Sequence, residues 1–341
     1  MTEGLAEFVG LFESGYDLSP ADVGRFFDFV IKETNEDILR RLLLAWHVKG
    51  IADSELFELA KIMRERCIRV QTKHQVFVDA VGTGGSKVKT FNVSTAAAFV
   101  VAGAGLPVAK HGNRAATSNS GSADVLAELG VDISADAEKA GKSLDEIGMC
   151  FLFAPNFHKL SPVLGKVRRE LGLPTVFNNL GPLCNPAAAP FQIIGVWDRE
   201  RLLPTATTLS KLGTGKSWIV HGHDGLDEIT LSGPTYVAEV SNGVVSEREI
   251  SPSNFGVRAR AIESLKANSV RESAQMIRDV FDGTHDNAAA RDLVLVNAAA
   301  ALYVAGKANS LETAAAAADE SIRSRAAKEK LEQMASISRQ V

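Results

Sequence analysis

A glycine-rich segment at residues 82–85 is the first feature of this sequence that could do chemistry. It follows a short apolar run at 76–81 and precedes a helical pattern that starts near Asn92, with Lys87 and Lys89 between them. Consecutive glycines let backbone N–H groups point to one side, and a helix N-terminus adds its dipole. The spacing matches neither a Walker A loop nor a G-x-G-x-x-G fingerprint. The pattern predicts a phosphate site; the alternative is a tight turn that needs positive φ angles.

A second group of hydrogen-bond donors follows the next predicted strand. Residues 110–114 read Lys-His-Gly-Asn-Arg, and a serine-rich stretch at 118–122 leads into another helical pattern. Open α/β sheets bind ligands at the carboxyl ends of their strands, so this segment predicts an anion or polar-ring site. The alternative is a solvated loop in which Ser120 or Ser122 caps the helix.

Two adjacent carboxylates, Asp227 and Glu228, follow a later predicted strand. Magnesium takes few protein carboxylates and completes its shell with water and substrate phosphates, so a pair that faces a phosphate site suits it. His221, His223 and Asp224 could instead suggest zinc, although His-x-His without a clear third ligand is a weak pattern. The remaining alternative is an ordinary charged turn.

Two arginines, Arg168 and Arg169, end a predicted helix at 158–171. Adjacent helical residues diverge by about 100°, so one of them at most can face a site. The alternative is compensation of the helix dipole. The following segment, 177–186, is rich in glycine and proline and is predicted to be a rigid turn that holds Cys184 as a packing residue.

The elements that must position these residues form an α/β pattern. Residues before about 70 have helical spacing, with Ser19 and either Thr34 or Asn35 as predicted helix caps and Gly50 as a helix end. Later strands alternate with helices, which predicts a mostly parallel sheet. The strand candidates are 76–81, 107–111, 149–153, 174–177, 192–196 and 217–221. The helical patterns between them are 94–105, 122–129, 158–171 and 199–212. Residues 230–257 predict an antiparallel or irregular excursion, and the chain turns helical again from about 262.

Composition excludes several classes of protein. The chain has 341 residues, 45% of them hydrophobic and 23% charged, with a net charge of −4. These values exclude a disordered chain and argue against a nucleic-acid-binding surface. The three cysteines are far apart and odd in number, which supports neither a disulfide framework nor a zinc ribbon and favours a reducing cytoplasm.

Targeting and membrane signals are weak in this sequence. The N-terminus has no basic region before its apolar residues, so a signal peptide is not expected. Residues 90–109 form an uncharged run that is long enough to span a membrane. Its polar residues, glycines and proline favour a buried helix followed by a short buried strand.

Taken in order, the motifs resemble the anthranilate phosphoribosyltransferase family. The motifs are GTGG (82–85), FNVST (91–95), AKHGNRAATSNSGSADVL (109–126), FAPNFH (153–158), VRRELGLPTVFN (167–178), LGPLCNP (180–186), GLDEI (225–229) and NAAAALYVAGKANSL (297–311). The resemblance implies a small helical domain at 1–72 and a larger α/β domain at 73–341 with a mostly parallel sheet. The two would be joined by a helical segment near 158–190, in the fold class that pyrimidine nucleoside phosphorylases share.

The same resemblance implies transfer of a phosphoribosyl group from phosphoribosyl pyrophosphate to the amino group of anthranilate. The implied phosphoribosyl-pyrophosphate-binding residues are Gly82, Thr83, Gly84, Gly85, Ser86, Lys87, Thr90, Asn92, Ser94, Thr95, Lys110 and Ser122. The implied anthranilate-binding residues are Gly82, His111, Asn113, His158 and Arg168. The implied magnesium ligands are Ser94, Asp227 and Glu228, with two ions per active site. The family further implies a cytoplasmic homodimer that binds neither nucleic acid nor membrane.

No residue is expected to be an essential acid or base, because the aromatic amine is already neutral at pH 7; His111 would orient the acceptor. Two positions depart from the family pattern. Ser86 replaces the usual Asp after GTGG, and Cys184 replaces the usual Thr of LGPLTNP. The alternatives are a related phosphoribosyltransferase or nucleoside phosphorylase with another acceptor, or a non-catalytic relative that binds nucleic acid.

Overall fold

Four helices open the described part of the chain: α1 (Leu5–Glu13), α2 (Val23–Val30), α3 (Glu36–Lys49) and α4 (Asp53–Arg66). The computed structural model describes residues 4–115, 120–283 and 287–339. Asn35 caps α3, since its Oδ1 accepts the N–H groups of Asp37 and Ile38 at 3.0 and 3.2 Å. Gly50 ends α3 at φ 82°. The cap predicted at Ser19 is wrong: its hydroxyl donates to Asp22 at 2.6 Å in a turn, and Asp22 is the N-cap of α2.

An aromatic cluster holds the four helices together. Phe12 stacks on Trp46 with ring centroids 4.7 Å apart, and Phe26 meets Trp46 edge to face at 5.3 Å. The same buried cluster includes Phe177 and Leu180, which come from much later in the chain. These helices therefore pack on a segment that also borders the site described below.

In the described part of the chain, seven strands form one sheet in the order β3-β2-β1-β4-β5-β6-β7. The strands are β1 (Val78–Gly82), β2 (Val108–Gly112), β3 (Met149–Phe153), β4 (Phe191–Gly195), β5 (Lys216–Gly222), β6 (Thr235–Ser241) and β7 (Val244–Ile250). Strands β1 to β5 run parallel, and β6 and β7 are antiparallel. This confirms the predicted mostly parallel α/β fold, and it confirms the antiparallel excursion within 230–257.

Helices cover both faces of the sheet. They are α5 (Val93–Gly103), α6 (Ser122–Glu128), α7 (Ala137–Ile147), α8 (Ala154–His158), α9 (Pro162–Leu171), α10 (Val176–Leu183), α11 (Leu202–Lys211), α12 (Val270–Asp282), α13 (Ala288–Val304), α14 (Leu311–Arg323) and α15 (Ala326–Ser338). Short 3-10 helices lie at Arg199–Arg201, Pro252–Phe255 and Glu263–Leu265. Ile193 and Ile194 of β4 belong to different cores, as alternation along a strand buried on both faces requires.

The long uncharged run divides as predicted into a buried helix, α5, and a buried strand, β2. Within the described ranges, the structure contains no helix that is both long and apolar enough to cross a membrane.

Two predictions around residue 175 are wrong. The segment 174–177 is not a strand and 177–186 is not only a turn, because α10 covers half of the first and most of the second. Asn178 Oδ1 accepts the N–H of Thr175 at 2.9 Å and starts this helix, and Pro182 sits in its last turn. The helix predicted at 158–171 begins later, as α9 at Pro162, because α8 ends at His158 and Lys159 adopts φ 48°.

Strands β1 and β2 separate toward their carboxyl ends. They share a single register pair, Val78 with Val108, whereas β1 and β4 stay paired over five residues from Val78 to Gly82. The gap opens at the edge of the sheet where the predicted site residues lie.

Candidate active site

The sequence motifs meet at the carboxyl edge of the parallel strands. Gly82 ends β1, Gly112 ends β2 and Gly195 ends β4. A Cβ atom on Gly82 would lie 3.2 Å from Asp227 Oδ2, and a Cβ atom on Gly195 would collide with the Asp227 carbonyl oxygen. The glycines therefore allow the loop that carries the acidic pair to pack directly on the strand ends.

The glycine loop has a fixed shape. Gly84 and Gly85 adopt φ 65° and 85°, so the predicted turn with positive φ angles is present. Thr83 holds the loop in place: its N–H donates to Gly195 O at 2.8 Å, and its hydroxyl accepts the N–H of Trp197 at 3.2 Å. Asn178 of α10 donates to the Thr83 carbonyl at 3.0 Å. A loop braced on both sides can present its backbone N–H groups to an anion without reordering.

The N-terminus of α5 faces the same part of the site, and the side chain of Asn92 fixes the residues that lead into this helix. Its Oδ1 accepts the hydroxyl groups of Ser120 and Ser273, each at 2.7 Å. Its side chain therefore links the loop before α6 to α12 and does not cap α5. The next turn presents Ser94, whose backbone N–H donates to Glu228 Oε1 at 3.3 Å. Thr95, also predicted to bind substrate, is fully buried with its hydroxyl unpartnered.

Lys110 lies at the base of the site with 1% of its surface exposed. Its ammonium donates to Ala80 O at 2.5 Å and to Ser94 Oγ at 3.3 Å. Burial lowers the pKa of Lys110, while the carboxylates of Asp79 and Glu228 oppose that shift. A buried cation therefore stands beneath the N-terminus of α5.

The surroundings of the acidic pair disfavour the charged form of both carboxylates. Burial raises the pKa of Glu228 to about 8, and repulsion from Asp227 acts in the same direction against the attraction of Lys110. Burial also raises the pKa of Asp227, opposed by Lys89. The two residues line a small cavity together with Ser94 and Asn297. Two neighbouring carboxylates and a hydroxyl oxygen are hard oxygen ligands of the kind that Mg²⁺ prefers. A bound Mg²⁺ would also offset the repulsion between the two carboxylates.

The residues proposed for a zinc alternative have other roles. His221 Nδ1 donates to Val196 O at 2.8 Å, and His223 is exposed beside Gly233. Asp224 accepts the hydroxyl of Thr230 at 2.6 Å and shapes the turn before the acidic pair. Over the described ranges, no three or more His, Cys, Asp or Glu residues are arranged to hold a metal ion. The structure thus offers the magnesium-type pair and no zinc cluster in these parts of the chain.

Two histidines form a buried pair on the other side of the separated strands. His111 Nδ1 donates to Gly181 O at 3.0 Å, and the Nε2 atoms of His111 and His158 are 3.2 Å apart. With Nδ1 of His111 protonated, its Nε2 is the acceptor and His158 Nε2 is the donor. Burial lowers the pKa of His158 to about 4 and that of His111 well below its usual range. Both imidazoles are therefore neutral near pH 7.

Arg168 faces inward and Arg169 faces solvent. The Arg168 guanidinium lies 5.3 Å from the Phe177 ring centre and donates to Asn178 Oδ1 at 3.4 Å, but its buried Nε has no partner among the described residues. Burial lowers the pKa of Arg168 to about 10. Within the described part of the chain it forms no ion pair, so it has unused capacity for a planar anion.

The loop after β2 is partly outside the described residues, including Ser118 and Asn119. Asn113 is exposed, and its carbonyl accepts the Ser122 hydroxyl at 3.3 Å. Arg114 is paired with Asp124 at 2.8 Å. The cap predicted at Ser120 or Ser122 is wrong, because Gly121 is the N-cap of α6 and its N–H donates to Asp124.

Three further predicted residues lie in the loop before α5. Ser86 is buried, and its hydroxyl is directed to the carbonyl oxygens of Val88 and Gly225 at 2.8 and 2.7 Å. Thr90 donates to Phe91 O at 3.1 Å, and Lys87 is exposed. The Ser86 side chain therefore joins this loop to the acidic loop and does not point into open space.

Sequence reasoning missed several residues that shape the site. The clearest is Asp79, which is fully buried and accepts the His111 N–H at 3.1 Å and an Asn185 N–H at 2.8 Å. A lone carboxylate inside an apolar strand is the signal that could have found it. Asn297 pairs with both backbone groups of Ile229 at 3.0 Å, just after the acidic pair.

Comparison with known proteins assigns this fold and site to a class. The model of the glycosyl transferase family a/b domain matches residues 74–328, so the chain is a member of that family. Comparison with individual relatives gives a more specific assignment. It is 43% identical over 330 residues to the anthranilate phosphoribosyltransferase of Rhodospirillum rubrum, covering 96% of this chain and 94% of that protein. The chain therefore belongs to the anthranilate phosphoribosyltransferase family, which confirms the resemblance seen in its motifs.

Solved structures agree with this assignment. The crystal structure of anthranilate phosphoribosyltransferase from Thermus thermophilus matches with a TM-score of 0.86 and 36% identity, covering 98% of this chain and 99% of that one. The Saccharomyces cerevisiae enzyme in complex with PRPP and Mg matches with a TM-score of 0.87 and 30% identity, covering 98% and 97%.

Proposed function

We propose that this protein transfers the phosphoribosyl group of phosphoribosyl pyrophosphate (PRPP) to the amino group of anthranilate, releasing pyrophosphate. The observation that carries the proposal is the meeting of three features at one sheet edge. These are the braced glycine loop, the buried Lys110, and the crowded pair Asp227 and Glu228. Family membership and the ligands named for the yeast relative support the same activity.

The glycine loop and the N-terminus of α5 would hold the pyrophosphate end of PRPP. Backbone N–H groups near Gly84 and Gly85, the dipole of α5 and the ammonium of Lys110 all favour negative charge there. Their effect grows as the leaving group gains charge in the transition state, so they act on the rate as well as on binding.

We further propose that the reaction requires Mg²⁺, with Asp227, Glu228 and the hydroxyl of Ser94 as its protein ligands. The bound ion would neutralise charge on the departing pyrophosphate. These residues bring the acidic loop against α5 through the hydrogen bond from Ser94 N–H to Glu228. The presence of two ions per site stays a prediction.

The acceptor would lie beside the histidine pair and Arg168. Anthranilate is a planar aromatic carboxylate, and the guanidinium of Arg168, which forms no ion pair among the described residues, suits that carboxylate. His111 and His158 are neutral and hydrogen-bonded to each other, so they offer a polar wall without a charge that would compete for the amine.

The chemistry then needs no strong base. The amine nitrogen donates its lone pair to the anomeric carbon while the bond from that carbon to the pyrophosphate oxygen breaks and leaves its electron pair on oxygen. The nitrogen afterwards loses one proton to solvent water. Both substrates must be aligned across the same carbon, and the gap between β1 and β2 would lie between the two halves of the proposed site.

The proposal is tested by following loss of anthranilate fluorescence in the presence of PRPP, with Mg²⁺ and with EDTA. Turnover that requires both PRPP and Mg²⁺, with pyrophosphate formed in equal amount, supports it. Absence of turnover with anthranilate, together with turnover of another amine or of a nucleoside and phosphate, would assign the chain to a different acceptor.

We also propose that the protein is a cytoplasmic homodimer. Helix α3 exposes Leu44 and Val48 one turn apart, with 38% and 86% of their surfaces accessible, and Tyr16 after α1 is 66% accessible. Apolar side chains grouped on one helix face suit a contact with a second copy.

A further inference from the structure

The carboxyl ends of β1 and β2 are held apart by side chains that replace the strand ladder. Beyond the pair Val78–Val108, no register pairs join these two strands within the described residues. Backbone groups in the gap still need partners, since unpaired buried N–H and C=O groups are costly.

Three of those groups have side-chain partners. Asp79 Oδ1 accepts the N–H of His111 at 3.1 Å. Asn185 Nδ2 donates to the carbonyl of Ala109 at 2.8 Å and to Asp79 Oδ2 at 2.8 Å. The carbonyl of Ala80 on the facing strand accepts the ammonium of Lys110 at 2.5 Å.

Asn185 is itself held firmly. Its Oδ1 accepts the N–H of Ala187 at 2.8 Å, and 1% of its surface is exposed. Asp79 is fully buried. A charged carboxylate at such a place is expensive unless hydrogen bonds and an opposite charge stabilise it, and Lys110 supplies the opposite charge.

We propose that Asp79, together with Asn185, is a positioning element for the transfer reaction: it keeps the ends of β1 and β2 apart so that Lys110 and His111 are presented to the two substrates. This Asp79–Asn185 wedge touches neither substrate. The inference rests on the proposed function, because it assigns Lys110 to the phosphate side and His111 to the acceptor side.

The position of Lys110 links the spacing of β1 and β2 to the proposed reaction. Its ammonium reaches across the gap to β1 and to Ser94 of α5, a contact that depends on how far β2 stands from β1. If the strands closed into a regular ladder, the backbone of β1 would occupy that path. Displacement of a catalytic group by about 1 Å can cost about 100-fold in rate.

The test compares Asp79→Asn with Asp145→Asn in the full-length protein. Asp145 also accepts two hydrogen bonds, from Thr72 and Lys73 at 2.5 and 3.0 Å, but it lies away from the site. In Asp79→Asn, an amide donor faces the donor of Asn185, so the wedge is disrupted without loss of volume. We expect kcat/KM for PRPP to fall by about 10- to 100-fold, and we expect Asp145→Asn to match the wild type.

A purely structural role would lower the melting temperature of Asp79→Asn and leave its kinetic constants in place, which would overturn the proposal.

Asn185→Ala keeps the carboxylate and removes one arm of the wedge, so it serves as the second variant if Asp79→Asn does not fold. Wild-type kcat/KM for PRPP in a folded Asn185→Ala would also overturn the proposal.

Binding of pyrophosphate with Mg²⁺, measured by calorimetry, needs no turnover. Weaker pyrophosphate binding in the wedge variants would therefore support the wedge even if anthranilate proved to be the wrong acceptor.

Discussion

The backbone N–H of Ser94 donates to the carboxylate of Glu228 at 3.3 Å, although the two residues are 134 positions apart. The same serine accepts the ammonium of Lys110 through its hydroxyl oxygen at 3.3 Å. One turn of α5 therefore connects the acidic loop and the buried cation. This contact places the proposed metal ligands beside the proposed pyrophosphate site.

Replacing the acidic pair tests the metal site. Glu228→Gln and Asp227→Asn keep the side-chain volume and remove one negative charge each. We expect kcat/KM to fall by about 100-fold or more in each variant, with a higher Mg²⁺ concentration at half-maximal rate, because the ion loses an anionic ligand. The measurement is a Mg²⁺ titration of the initial rate. Glu247→Gln, exposed on β7, is the matched control, and an unchanged Mg²⁺ requirement in both site variants would contradict the assignment.

Arg168 and its neighbour Arg169 form a natural pair of variants. Arg168 is directed inward with an unpaired Nε, whereas Arg169 is exposed. We expect Arg168→Ala to raise the KM for anthranilate by about 10- to 100-fold, as loss of a charge-assisted hydrogen bond to a carboxylate would, and Arg169→Ala to leave it unchanged. Steady-state kinetics with PRPP saturating gives both values. Equal effects at the two positions would argue against a site role for Arg168.

Ser86 gives a prediction about the departure from the family pattern. Its hydroxyl faces two carbonyl oxygens, so an Asp at this position would put carboxylate oxygens against acceptors. We expect Ser86→Ala to cost about 1–2 kcal/mol of stability and Ser86→Asp to cost more, with a raised KM for PRPP. Thermal unfolding and PRPP kinetics are the measurements, with exposed Ser336→Asp as the control. An Asp variant as stable as the wild type would show that the loop readily adopts another arrangement.

Much of the fold could be predicted because its signals are local. Short apolar segments that alternate with helical patterns predicted the parallel strands. Asn35 and Gly50 predicted the two ends of α3. The segment 174–177 misled because Thr, Val and Phe favour strands by propensity. There, tertiary packing of Phe177 and Leu180 in the core that α1 to α4 share outweighs propensity and stabilises α10.

The site residues could be predicted where a sequence motif itself contains the charged or phosphate-binding groups. Asp227, Glu228, Lys110 and the glycines meet as their positions at strand ends require. The supporting contacts were not predictable, because each joins residues distant in sequence. Asn185 is 106 positions from Asp79, and Ser273 is 181 positions from Asn92. Spacing along the chain carries no signal for such pairs. The division of the chain at residues 72 and 73 stays a prediction.

The buried histidine pair predicts loss of stability in acid. The pKa of His158 is about 4 in the folded protein and near 6.5 when unfolded, so the unfolded chain binds more protons between these values. Folding stability is unaffected by this group above pH 6.5 and declines by up to about 3 kcal/mol as the pH falls to 4. Urea unfolding at several pH values should show a shallower decline for His158→Gln than for the wild type. Exposed His223→Gln should keep the wild-type slope.

The exposed face of α3 predicts the oligomeric state. Val48 has 86% of its surface exposed, and a charge placed there would have to be desolvated in an interface between two copies. We expect Val48→Asp to shift the protein from the mass of a dimer to that of a monomer in light scattering after gel filtration. Val244→Asp is the matched control, since Val244 is 67% exposed but lies on the edge strand β7. A dimer that survives Val48→Asp and dissociates with Val244→Asp would place the interface at β7, because only the contact that buries the new charge is weakened.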